Sequence, residues 1–255
     1  MNQEIRIRAE GSVVTVTFNR LERKNSITAA MYANVTAALT GAASDRVVRA
    51  VVLEGDESIF TAGNDMGDFL RHPGDGEHSP AHAFMLSLAN FPKPLIAAVC
   101  GPAIGIGTTM LLHCDLVYAG DNAMFSMPFV DLGLCPEAGS SLLVPRMFGH
   151  HRAAAALLLG EPLNAQSAFE AGLVNKILPA GEVKAFAQQQ ARKAAAKPLS
   201  SLMETKRLMK QGQAAEVLRQ IDDEGVSFAR MLAEPAAKEA ISAFLAKRKP
   251  DFSML

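Results

Sequence analysis

The spacing of apolar and polar positions changes along the chain and sets the expected elements. Ile5 to Ala9 and Val13 to Phe18 carry strand-type patterns joined at Glu10-Gly11-Ser12, which predicts a hairpin. Thr28 to Leu39 reads as a helix capped by Ser26 or Thr28. Val47 to Leu53, Leu95 to Val99 and Leu116 to Ala119 are short, nearly continuous apolar runs, the pattern of strands covered on both faces. Ala81 to Asn90 reads as a short helix. Arg71 to Ser79 holds a proline, two glycines and several charges, and reads as a mobile loop.

From Gly139 onward the pattern is almost entirely helical. Ala153 to Leu159 is one helix, and a second is capped by Asn164 and ends at Gly172. A brief strand, Asn175 to Leu178, precedes a helix over Glu182 to Ala196, and Pro198 marks the next helix start. Two amphipathic helices close the chain. Val217, Ile221, Phe228 and Leu232 mark one face, with Gly225 completing the spacing; Ala237, Ala240, Ile241, Phe244 and Leu245 mark the other. Both stripes read as intrachain core. The expected organisation is a core domain over 1–195 followed by a helical C-terminal region over 196–255.

Composition narrows the classes. A chain of 255 residues with 49% hydrophobic content supports one core with an appendage, and a formal net charge of −1 removes the basic field that nucleic-acid binding needs. Cys100, Cys114 and Cys135 form no CxxC pair, so a disulfide framework or zinc site is not expected. Cys135 has no histidine in a supporting sequence relation, and a packing role is expected. The N-terminus lacks a signal-type apolar core, and no run approaches the ~18 apolar residues of a membrane span. The closing Phe252-Ser-Met-Leu255 is not a Ser-Lys-Leu address. The expectation is a cytoplasmic protein with no membrane and no nucleic-acid partner.

Two windows carry chemistry. Cys100-Gly-Pro-Ala-Ile-Gly-Ile-Gly-Thr-Thr-Met-Leu-Leu-His-Cys-Asp115 follows a buried strand with a glycine turn and an apolar helix starting near Gly105. The first N–H groups of a helix lack internal partners and face its positive end. In this window alone, donors aimed at a negative charge and a merely tight, close-packed turn are equal readings. The second window, Glu54 to Phe69, repeats the pattern through Ala62-Gly63-Asn64-Asp65. Two such turns on adjacent strands aim two N–H groups at one oxygen, the arrangement of an oxyanion hole. Gly105-Ile-Gly107 is not a dinucleotide fingerprint, because Met110 occupies the third glycine position.

With these pieces the chain resembles the enoyl-CoA hydratase/isomerase (crotonase) superfamily over nearly its whole length. The matching segments are Val14-Thr-Val-Thr-Phe-Asn-Arg20, Lys24-Asn25-Ser26, Phe60-Thr-Ala-Gly-Asn-Asp65, Gly101-Pro-Ala-Ile-Gly105 and Cys114-Asp-Leu-Val-Tyr-Ala119. They continue with Pro128-Phe-Val-Asp-Leu-Gly133, Gly160-Glu-Pro-Leu-Asn-Ala165, Ala171-Gly-Leu-Val174 and Ala243-Phe-Leu-Ala-Lys-Arg-Lys-Pro250. The resemblance implies an α/β crotonase fold, a spiral of ββα units with a helical C-terminal region that packs partly on neighbouring subunits of a homotrimer or hexamer. It implies an acyl-CoA substrate, with coenzyme A as part of that substrate and no separate cofactor or metal. Matched motif to motif, it implies that the N–H groups of Asn64 and Ile106 hold the thioester oxygen. It also makes Lys24, Ala62, Asp65, Met66, Phe129 and Leu134 substrate contacts, the Ala62 to Met66 loop bordering the adenine end. Lys247-Arg248-Lys249 reads as a solvated helix end or as a contact to a CoA phosphate.

Departures from the family pattern select the reaction. Hydratases of this family add water with two glutamates; this chain has Thr109 and Phe129 at those positions. Glu137 remains, in Leu132-Gly-Leu-Cys-Pro-Glu-Ala-Gly-Ser-Ser141, a turn similar to that of the peroxisomal-type enoyl-CoA isomerases. The resemblance implies that Glu137 moves a proton from C2 to C4 of a 3-enoyl-CoA in fatty-acid β-oxidation, with Met127, Phe129 and Leu134 excluding water and raising its pKa. On the residues alone, Glu137 reads rather as a carboxylate capping the helix that follows. Asp65 is expected to cap a short helix, Asp115 to order its turn, Asp131 to serve a loop, His113 to sit in the core, and His150 and His151 to be exposed. Other crotonase reactions (hydration or thioester hydrolysis) and a non-catalytic CoA-ester binder are the alternatives.

Overall fold

A computed structural model describes residues 4–71 and 79–253. Residues 72–78, the centre of the expected Arg71 to Ser79 loop, lie outside the described residues. The hairpin forms as β1 (Ile5–Glu10) and β2 (Val13–Phe18), paired antiparallel with Ile5 opposite Phe18. Every further pairing of the main sheet is parallel: β2 with β3 (Ala50–Glu54), β3 with β4 (Leu95–Val99), β4 with β6 (Leu116–Gly120), and β6 with β9 (Lys176–Leu178). A second sheet of three short strands joins β5 (Pro102–Ile104), β7 (Met124–Ser126) and β8 (Leu163–Asn164).

The two-residue period of the strands divides the core between the two faces of the main sheet. Val51, Leu53, Leu95, Ala97 and Val99 face one cluster, with α1 (Ala29–Ser44) and α3 (Pro80–Ala89). Ala50, Val52, Ile96, Ala98 and Cys100 face the other, covered by Val183, Ala187 and Ala191 of α8 (Val183–Ala195). Being covered on both sides explains why these strands read as continuous apolar runs.

Several boundaries shift from expectation. The third strand begins at Ala50 rather than Val47, because the Val47 N–H is held by Asp45 Oδ1 (2.8 Å) in a local turn. Thr28, not Ser26, caps α1, its hydroxyl accepting from the Met31 N–H at 3.3 Å. α1 also runs beyond Leu39 to Ser44. The helix expected after Gly105 is a single turn, α4 (Ile106–Thr109), tightening into 3₁₀ geometry over Met110–His113. Asn164 caps α7 (Ala165–Glu170) through the Ser167 N–H at 2.8 Å, as read.

α5 (Ser140–Phe148), α6 (His150–Leu158), α9 (Leu199–Gln211), α10 (Ala214–Leu232) and α11 (Pro235–Leu245) complete the helical end. α10 packs on α3 and α5, burying Val217, Ile221 and, unexpectedly, Glu224. Gly225 is only half-buried and does not carry the inner stripe. On α11, Phe244 and Leu245 are exposed rather than core. Among the described residues no helix is long and apolar enough to cross a membrane.

Candidate active site

The two glycine turns are stitched side by side. The N–H groups of Phe60 and Thr61 both donate to Pro102 O at 3.1 Å, and the Ile104 N–H donates back to Thr61 O at 3.0 Å. Gly63 has a φ of +83°, and a Cβ there would lie 2.7 Å from the Ile104 carbonyl oxygen. Glycine is required by both conformation and space. Gly105, with φ +56° and ψ −121°, turns the second strand end into α4.

Several main-chain donors around the turns are already engaged. The Ile27 N–H donates to Gly63 O, Gly63 N–H to Thr61 Oγ1, Asp65 N–H to Ile27 O and Gly105 N–H to Ser126 O, at 2.8 to 3.1 Å. Among the described residues the N–H groups of Asn64 and Ile106 have no acceptor. Both residues line one cavity of about 270 Å³. α4 is too short to bring a substantial macrodipole, so the contribution here is two oriented peptide donors.

Glu137 lines the same cavity. It follows the half-buried Pro136, and its side chain enters the interior with only 7% exposure. Its Oε1 has no hydrogen-bond partner. Burial, and then the charge of Glu224, raise its carboxyl from 4.5 to about 8. The capping alternative is not what the geometry displays: Gly139 precedes α5 with no side-chain cap. Ala62, Met66, Phe129 and Leu134 complete the wall, and Phe228 and Phe244 come from the helical end. Asp131 also borders the cavity but is exposed in its one-turn helix.

Thr109 and Phe129 are both buried. The Thr109 hydroxyl is unpartnered.

Lys24 and Asp65 sit apart from this wall. Lys24 is exposed in a left-handed turn, and its carbonyl accepts the Ala62 N–H at 3.0 Å. Asp65 borders an adjoining cavity of about 90 Å³, which shares Asn64, Glu137 and Phe228 with the larger one. Its carboxylate pairs with Arg20 Nη1 at 2.7 Å and caps α2 (Met66–Arg71) through the Asp68 N–H at 3.0 Å. Burial alone would raise Asp65, but the hydrogen bonds from Arg20, Asp68 and Ser26 outweigh it and hold its carboxyl at about 2.

Asp115 accepts the Leu95 N–H at 2.8 Å and pairs with buried Lys206 at 2.6 Å, so it orders the turn. His113 is in the core, lowered by burial to about 4. His150 and His151 are exposed. Cys135 is half-buried, with burial pushing its thiol up. Arg248 is tied to Glu239, and Lys247 and Lys249 are exposed beside it. Among the described residues no group of three His, Cys, Asp or Glu side chains is placed to hold a metal.

Sequence reading missed two polar residues here. The Tyr32 hydroxyl donates to Asn64 Oδ1 at 2.5 Å and lies beside Glu137 in the smaller cavity. Glu224 stands behind the Glu137 turn. The available signal was a carboxylate three residues after Ile221 and four before Phe228, on the apolar stripe of α10, where a lone charge has to be partnered.

The profile of the enoyl-CoA hydratase/isomerase family matches residues 8–254. Enoyl-CoA delta isomerase 2 of Rattus norvegicus is 35% identical over 254 residues, 96% of this chain, and the chain spans 64% of that protein's length. The 2,3-dehydroadipyl-CoA hydratase of Escherichia coli (strain K12) is 33% identical over 250 residues, covering 98% of each. Among solved structures, Pseudomonas aeruginosa OdaA superposes with a TM-score of 0.93 at 46% identity, covering 95% of this chain and 99% of that one.

Proposed function

The chain belongs to the enoyl-CoA hydratase/isomerase family, with the crotonase fold, and from that premise we propose that it isomerises 3-enoyl-CoA to 2-enoyl-CoA through one glutamate, Glu137. The observation that supports this reading is the company Glu137 keeps: it is the only buried carboxylate among the described cavity-lining residues, and two unpartnered main-chain N–H groups share that cavity.

The thioester oxygen accepts hydrogen bonds from Asn64 and Ile106. The Glu137 carboxylate removes a proton from C2, and the electron pair spreads over the dienolate from the thioester oxygen to C4. The same carboxyl then returns the proton to C4, leaving the double bond between C2 and C3. The step is neutral in electrons and protons, so coenzyme A enters only as part of the substrate. One oxyanion donor typically contributes about 3 kcal/mol in the transition state. Burial raises the Glu137 carboxyl to about 8, so its ionised and protonated forms interconvert close to neutral pH, which suits a group that takes a proton from C2 as carboxylate and returns it to C4 as acid. Water addition asks more: a second carboxylate to orient and deprotonate the water.

The test is conversion of 3-hexenoyl-CoA, followed by the absorbance of the conjugated thioester. Glu137→Gln is expected to lower turnover by about 10²–10⁴-fold while CoA-ester binding persists. Near-normal turnover in the variant, or robust formation of 3-hydroxyacyl-CoA from crotonyl-CoA by the wild type, overturns the reading.

A further inference from the structure

The turn that carries Glu137 is conformationally unfavourable and is held from behind. Ala138 and Gly139 are both left-handed, with φ of +64° and +70°. For alanine this conformation is unfavourable, so it persists only where neighbours fix it. His113 Nε2 lies 2.8 Å from Ala138 O, and since a carbonyl only accepts, the neutral ring donates.

Glu224 holds the other side. Its Oε2 accepts the Gly139 N–H at 2.6 Å, and its Oε1 accepts both the Ser141 N–H at 2.8 Å and the Ser141 hydroxyl at 2.5 Å. Gln220 Nε2 donates to Ser141 Oγ at 2.8 Å, one turn earlier on the same helix. Glu224 is 5% exposed on a stripe otherwise occupied by Val217, Ile221 and Phe228. An apolar residue would fill that position at less desolvation cost. One donor belongs to the turn and two to Ser141, in the first turn of the helix that follows it, so the carboxylate ties the turn to the start of α5.

We propose that Glu224 is the positioning residue of this site: it locks the Ala138–Gly139 turn that aims Glu137 into the cavity, and sets a second buried carboxylate behind the first. The inference rests on Glu137 being the proton-transfer group. Burial raises the Glu224 carboxyl above its ordinary range, and the three donors work against that rise in favour of the ionised form, whose charge opposes ionisation of Glu137.

The other groups around the pair act weakly. Tyr32 of α1 is neutral, raised well above its ordinary value by burial and the charge of Glu137. Cys135 is a neutral thiol, lying between the fields of Glu224, Glu137 and Arg230. His82 of α3 reaches Gly225 and pairs with Asp222 on the outer side of α10 at 3.3 Å.

The experiment is a ¹³C NMR titration of glutamate-labelled protein, with the Glu137 carboxyl identified by its loss in Glu137→Gln. In wild type the midpoint is expected near 8. In Glu224→Gln it should move to lower pH by about half a unit or more, a threefold change in proton affinity, with kcat falling more than KM changes. Ser141→Ala removes one donor, and should shift the midpoint the same way by less; it decides the matter if Glu224→Gln does not fold. An unchanged Glu137 midpoint in the folded variant overturns the proposal. The titration needs no turnover, so an active Glu137→Gln would sink the isomerase reading separately, while the midpoint still judges Glu224.

Discussion

Glu137 imposes a pH dependence on the stability of the fold. Between its ordinary value of 4.5 and about 8, the folded chain keeps a proton that the unfolded chain has released. Stability therefore falls as pH rises through that window, by on the order of 3 kcal/mol between pH 5 and pH 8. Glu137→Gln removes the titration. Its melting temperature relative to wild type should rise by on the order of 6 °C from pH 5 to pH 8, measured by thermal denaturation. A flat difference would contradict a neutral, buried acid. Glu137 could be found in the sequence because a Pro-Glu turn beside a predicted helix is unusual and matches a family pattern. Glu224 was hidden because its neighbours at 217, 221 and 228 read as plain helical core, and a helix pattern does not tell which donors lie across from it.

At the level of elements, the geometry of the hole depends on how closely two turns approach. A methyl group at Gly63 would meet the Ile104 carbonyl at 2.7 Å, backbone against backbone, with no flexible side chain to give way. Gly63→Ala should push the turns apart, misaim the Asn64 N–H and lower kcat at least about tenfold. The left-handed φ adds about 1–2 kcal/mol of destabilisation, readable as a modest drop in melting temperature. Wild-type kcat in this variant would show that the approach is not needed. The hairpin, the buried parallel strands and both glycine turns were visible in the sequence because each has a strong local signature. The single-turn length of α4 was not, because Met110-Leu-Leu-His113 continues an apolar helical pattern and only tertiary contacts tighten it to 3₁₀.

Across the whole molecule, the cavity is a joint between distant parts of the chain. Its donors come from turns after β3 and β5, its acid from the segment before α5, and its roof from Phe228 and Phe244. Phe244 remains 59% exposed, so it lines the cavity without belonging to the core. Phe244→Ala should leave the melting temperature nearly unchanged, within about 0.5 kcal/mol in stability. It should raise KM for an acyl-CoA substrate several-fold with little change in kcat. A large loss of stability would mean that the side chain packs more deeply. None of this roof could be read from sequence, since an amphipathic stripe does not say which of its members stop short of the core. The latch from Glu224 has a further consequence for biosynthesis. A polypeptide still emerging from the ribosome already carries the Asn64 and Ile106 N–H groups and Glu137, yet lacks α10, which fastens the turn of Glu137. Competence should therefore arrive abruptly, only once α10 has been translated and docked.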